Sequence, residues 1–202
     1  MRLNYLRKRK AVIPLFIGVG AIAVGLIIYA AVGGLFSPTK PEGAARQTPA
    51  ADRPSIDESI PVGTSVGNRA PDFTLRALNG GPVTLSSFLG KVVILDFWAS
   101  WCSPCRISMP ALHALWERYR DQGVVLLGVS LDRSESNAEG YLKANGYTDV
   151  TALWESPYAS QAVAKRYGVS GIPHTFVIDR NGIIRFSGHP TQLTASLIES
   201  LL

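Results

Sequence analysis

From Gly67 to Leu202 the sequence predicts an α/β domain, a β-sheet covered by helices on both sides, and three observations carry that prediction. KVVILDFW at 91–98 and VVLLGVSL at 124–131 are continuous apolar runs rich in aliphatic residues, the signature of strands buried on both faces. Helical patterns separate and follow them, and strands alternating with helices indicate a sheet with helices packed on it. Two strand pairs flank this core. One is DFTLRAL and PVTL joined by NGG; the other is HTFVID and IIRFSG joined through an Asn-Gly turn.

The helical elements follow in order. MPALHALWERYR places Leu112, Leu115, Trp116 and Tyr119 at helical spacing. SNAEGYLKANG predicts a helix closed by Gly146, and SQAVAKRYG one closed by Gly168. TASLIESLL predicts a short C-terminal helix.

The N-terminal third reads differently. Arg2, Arg7, Lys8, Arg9 and Lys10 account for the whole formal charge of +5; from residue 11 onward 15 basic residues face 15 acidic ones. A dispersed basic face of the kind a nucleic-acid binder needs is therefore not expected, and no nucleic-acid partner is predicted. Residues 11–36 carry no charge, long enough to cross a bilayer, which takes about 20 apolar residues. The basic tail, residues 1–10, should then remain cytoplasmic and the rest of the chain lie outside the cytoplasmic membrane. The rival is a cleaved signal peptide, whose apolar region is usually about 7–15 residues. Residues 37–66, with prolines at 38, 41, 49, 54 and 61, predict a semi-extended linker leading to the domain at 67–202.

The chain has two cysteines, Cys102 and Cys105, in the stretch FWASWCSPCRISMP. They follow a predicted strand that ends near Trp98, and a helix is expected to start at Cys105. The spacing suits a disulfide that closes a very small loop and so adds little entropic stability. It suits reversible exchange better than a staple. Unpaired amides and the helix dipole favour a thiolate at such a position. Cys102, expected to be the more exposed, is read as the attacking thiol and Cys105 as the resolving one. Pro104 fits a first helical turn, where its missing N–H matters little. Ser103 and Pro104, between the cysteines, and Arg106, a nearby positive charge, are expected to tune the pair. A plain structural disulfide remains a rival. So does zinc, which would need further ligands from His113, His174 and His189, none of them paired in spacing. No metal is predicted. Asp96 interrupts the apolar strand, and desolvation should raise its pKa. It is a candidate to take the proton of Cys105 during exchange.

These stretches carry a resemblance. DFWASWCSPC looks like the active-site segment of the thioredoxin superfamily. GNRAPDFTL at 67–75, LDRSESNAEGYLKANG at 131–146 and GIPHTFVIDRNG at 171–182 resemble the membrane-anchored TlpA/ResA-like thiol:disulfide oxidoreductases. The resemblance implies a thioredoxin fold with an N-terminal β-hairpin and a central insertion, preceded by one transmembrane helix. It implies a cis bond before Pro173, facing the disulfide, with the Ile172 backbone free to pair with a bound substrate strand. Trp101 would form an exposed lip beside Cys102, and Trp98 would lie in the core. Thioredoxins place an aspartate at the position of Asp96. Many TlpA/ResA-like proteins have asparagine there and a glutamate three residues after the second cysteine, where this chain has Ser108.

The implied activity is dithiol–disulfide exchange with protein substrates, with no cofactor beyond the redox-active cysteine pair and with a transmembrane thiol-electron donor as partner. Cytochrome c maturation is one pathway among several that the resemblance implies. An oxidant or isomerase of exported proteins shares the chemistry with opposite flow. A copper chaperone using Cys102, Cys105 and a histidine is a third class, since thiolates suit Cu(I).

Overall fold

The computed structural model describes residues 57–202. The basic tail at 1–10, the predicted transmembrane segment at 11–36 and linker residues 37–56 lie outside that range. Among the described residues no helix is long and apolar enough to cross a membrane. The end of the predicted linker is tied to the domain by main-chain bonds. Arg69 N–H donates to the Pro61 carbonyl and Gly63 N–H to the Arg69 carbonyl, both at 3.0 Å.

Two short strands come first, β1 (Thr74–Arg76) and β2 (Pro82–Thr84), paired antiparallel. Then come β3 (Val92–Trp98), α1 (Ser103–Tyr119), β4 (Val124–Ser130), α2 (Glu135–Asn145), β5 (Thr151–Leu153), α3 (Pro157–Arg166), β6 (His174–Ile178), β7 (Ile184–Gly188) and α4 (Ala195–Glu199). The five-stranded sheet has the order β5-β4-β3-β6-β7. β4 runs parallel to β3 and β5 parallel to β4; β6 and β7 are antiparallel to their neighbours.

β3 is the central strand, and all seven of its residues are buried. Successive side chains on a strand point to opposite faces. Val92 and Ile94 pack with Leu112, Trp116 and Tyr119 of α1 and with Ile198 of α4. Val93, Leu95 and Phe97 pack with Val163, Ala164 and Tyr167 around α3 and with Phe73 and Leu75 of the hairpin. Each such aliphatic side chain, fully buried, contributes about 1.5–3 kcal/mol relative to exposure. A third cluster joins Trp98, Cys102, Cys105 and Met109 to Ala138 and Leu142 of α2. The redox pair is thus built into the core rather than appended to it.

In its helices and strands the structure departs from the sequence prediction in two places. α1 begins at Ser103, two residues before the expected start, because Cys102 itself caps the helix. β5 was not foreseen; it is three residues long and follows α2, and together they are inserted between β4 and α3. The hairpin grips this insertion. Leu78 N–H donates to the Ala152 carbonyl and Trp154 N–H to the Arg76 carbonyl, each at 2.9 Å. Gly146 ends α2 with φ of 78°, a left-handed conformation that a side chain would strain.

Candidate active site

The site grows out of the strand-to-helix turn. Cys102 is the N-cap of α1, with extended backbone, and Ser103 and Pro104 form the first turn. The Cys105 N–H donates to Cys102 Sγ at 3.2 Å. One of the amides left unpaired at a helix start therefore points at the sulfur. The Cys102–Cys105 disulfide spans 5.3 Å between Cα atoms. Both cysteines are buried, Cys102 with 4% and Cys105 with 1% of its surface exposed. The expected order holds, but Cys102 is far less open than the sequence reading supposed, because the chain packs around its first turn. The exposed rim is made by Trp101, Ser103, Pro104 and Arg106, with Trp101 63% exposed. Trp98 is buried.

The peptide bond between Ile172 and Pro173 is cis. The Ile172 carbonyl oxygen lies 3.6 Å from Cys102 Sγ. Beside it runs an open groove of about 620 Å³, with Trp101, Leu131, Val169 and Ile172 among its walls.

Asp96 lies within β3, the strand that leads to the pair. By the alternation of β3 it shares the face of Ile94 and Trp98, the face that α1 covers. It is 2% exposed. Its partner across the sheet is Thr175, whose hydroxyl donates to Asp96 Oδ1 at 2.6 Å. Burial pushes the Asp96 carboxyl up to about 7 against the opposing pull of that hydrogen bond. A buried carboxyl that titrates near neutral pH suits proton transfer. Gly128 lies opposite Asp96 on β4, and a Cβ there would come within 2.9 Å of the Trp98 indole nitrogen. Absence of a side chain at 128 is what leaves room for the Trp98 indole.

Ser108 is buried, its hydroxyl donating to the Pro104 and Cys105 carbonyls at 3.1 and 3.2 Å. It offers the helix no acid. The Arg106 guanidinium stacks over the Tyr141 ring at 5.9 Å, and Tyr141 in turn packs on Trp98. His174 bonds to Ser187 Oγ at 3.0 Å, and desolvation lowers its pKa. His113 is held between Asp149 at 2.9 Å and Glu117 at 3.5 Å, and Arg120 also reaches Asp149. His189 caps a short turn by accepting from Thr191 N–H.

Sequence reasoning missed Asp132. This fully buried carboxylate follows β4 and binds Ser100, in the turn that leads to Cys102. The two lie 32 positions apart, and only the parallel pairing of β3 with β4 brings them together. The one available signal was a charged residue directly after an apolar strand.

A helix-capping cysteine pair beside a cis-proline, on a mixed five-stranded sheet, defines a thioredoxin-fold protein of the dithiol–disulfide class. Residues 66–187 match the model of the AhpC/TSA family, and the chain belongs to that family. Within it the chain is a ResA-like thiol-disulfide oxidoreductase. It is 36% identical over 121 residues to the thiol-disulfide oxidoreductase ResA of Geobacillus thermodenitrificans, covering 60% of this chain and 67% of that one. It is 33% identical over 126 residues to the thioredoxin-like protein YneN of Bacillus subtilis, covering 61% and 71%. The thioredoxin domain of a thiol-disulfide oxidoreductase from Bacteroides vulgatus superposes with a TM-score of 0.59 at 28% identity, covering 67% of this chain and 94% of that one.

Proposed function

We propose that this enzyme reduces disulfides of proteins outside the cytoplasmic membrane, to which residues 11–36 anchor it. The observation that carries the reading is the Cys102–Cys105 pair at the start of α1, with a main-chain N–H on Cys102 Sγ and the Ile172–Pro173 segment beside it. In the reduced enzyme the Cys102 thiolate attacks one sulfur of a substrate disulfide. A Cys102–substrate disulfide forms and the first substrate thiolate leaves. Cys105 then gives its proton to Asp96 and attacks Cys102 Sγ, which expels the second substrate thiolate. Two electrons pass to the substrate, and the enzyme is left as the disulfide seen in the structure. The Ile172 backbone holds the substrate strand, and Trp101 covers one side of it. Ser103, Pro104 and Arg106 tune the pair from the rim. A membrane-embedded thiol donor restores the dithiol, since the uncharged segment at 11–36 keeps the domain near the bilayer. Cytochrome c maturation is one pathway that needs such a reductant.

The equilibrium reduction potential of the full-length protein against glutathione and dithiothreitol tests the direction of flow. A value near that of thioredoxin, about −270 mV or lower, supports a reductant. A value nearer that of DsbA, about −120 mV, makes it an oxidant and sinks the proposal. Protease protection of the domain in intact cells, lost when the outer face of the membrane is made accessible, tests the location.

A further inference from the structure

The exchange chemistry accounts for Asp96 but leaves a second buried carboxylate without a role. Asp132 has no exposed surface. It accepts the Ser100 N–H on Oδ2 at 3.0 Å and the Ser100 hydroxyl on Oδ1 at 2.6 Å. The Ser130 hydroxyl donates to Oδ2 at 2.8 Å, and the Asp132 N–H returns a bond to Ser130 Oγ at 3.1 Å. The main chain around it is fixed as well. Leu131 N–H donates to the Trp98 carbonyl at 2.8 Å, and the Trp154 indole, just past β5, donates to the Asp132 carbonyl at 3.0 Å. A two-pronged grip on Ser100 is thus built on a rigid base made of β4 and the inserted segment.

Ser100 lies in the turn Ala99–Cys102, which the Cys102 N–H closes onto the Ala99 carbonyl at 3.1 Å. This turn decides where Cys102 enters α1. We propose that Asp132 is a positioning residue for the redox pair: by holding Ser100 it sets the turn so that Cys102 Sγ meets the Cys105 N–H. In the disulfide form the covalent bond also holds that geometry. In the dithiol form it does not, and the grip on Ser100 is what keeps the capping thiolate on its donor. An N-cap sulfur that drifts from the amide loses hydrogen-bond and dipole stabilisation, and its pKa rises.

The proposal rests on Cys102 being the attacking thiol. The test is the pH dependence of Cys102 alkylation by iodoacetamide in the reduced full-length protein, with the modified residue identified by mass spectrometry. The other charged or titratable groups around the pair are Asp96 on β3, Arg106 on α1, Tyr141 on α2, His174 on β6 and Lys165 on the groove wall, and Ser100→Ala alters none of them. Ser100→Ala should raise the Cys102 pKa by about 0.3–0.5 unit, a two- to threefold loss of thiolate below it. Ser100→Thr, which keeps the hydroxyl, should restore it. In an Asp132→Ala background, where neither oxygen is left to accept from Ser100, Ser100→Ala should have no further effect. An unchanged pKa in Ser100→Ala overturns the proposal, even if the variant melts earlier. So does an equal shift in both backgrounds. If the wild-type protein fails to reduce a protein disulfide such as insulin, the functional reading falls, while the Cys102 titration still decides the role of Asp132.

Discussion

Asp96 and Asp132 are both buried carboxylates near the C-terminal ends of neighbouring strands, and the protein surrounds them differently. Asp96 receives one hydrogen bond, from Thr175, and its carboxyl is pushed up to about 7. Asp132 receives three, two from Ser100 and one from Ser130. A carboxylate with one donor in an apolar site resists ionisation, so it readily takes up a proton. A carboxylate whose oxygens are filled by donors from two segments ties those segments together. On the proposed reading, the same residue type serves proton transfer in one place and placement in the other, and the number of donors the fold supplies makes the difference.

Replacing the two should affect stability with opposite signs. Asp132→Ala strands the Ser100 N–H, the Ser100 hydroxyl and the Ser130 hydroxyl, and is expected to cost roughly 3 kcal/mol or more in urea unfolding. Asp96→Asn should stabilise instead, and only in part of the pH range. The folded-state pKa of Asp96 lies above its ordinary value of 3.8. Its contribution to stability is therefore fully present below that value and is lost as pH rises through about 7. The variant should match wild type near pH 3 and exceed it by roughly 2–4 kcal/mol at pH 8. Equal stability at pH 8 would remove the contrast between the two sites.

The same Asp96→Asn change should slow release of the substrate mixed disulfide by about 100-fold near neutral pH, read by quenched single-turnover kinetics, because Cys105 loses its proton acceptor. Gly128→Ala, opposite Asp96 on β4, pushes a methyl against the Trp98 indole and is expected to cost about 1–3 kcal/mol by chemical denaturation. The smallest effect sharpens the comparison most directly. Thr175→Val removes the single donor to Asp96 and should move the pH midpoint of mixed-disulfide release further above about 7, at a stability cost of about 1 kcal/mol.

Much of the fold could be read from local pattern. The apolar runs mark β3 and β4, the helical spacing in 109–120 marks α1, and the Asn-Gly turn joins β6 to β7. β5 escaped because three residues carry no periodicity; its strand character comes from pairing with β4 and from the hairpin that bonds to it. At the site, the cysteine spacing, Pro104, Pro173 and the odd aspartate in an apolar strand were all visible. The burial of Cys102 was not, since it depends on packing against Trp98, Met109 and the residues of α2.

By itself, then, the sequence determined the redox pair, the strand that delivers it and the buried acid on that strand. These rest on interactions between near neighbours: a cap, a first turn, the period of a strand. Tertiary structure alone decided which hydroxyl would meet Asp96, that Ile172 would stand 3.6 Å from Cys102, and that Asp132 would hold Ser100 across 32 positions. Such contacts follow from strand order and register, which many distant side chains settle together and no short stretch encodes.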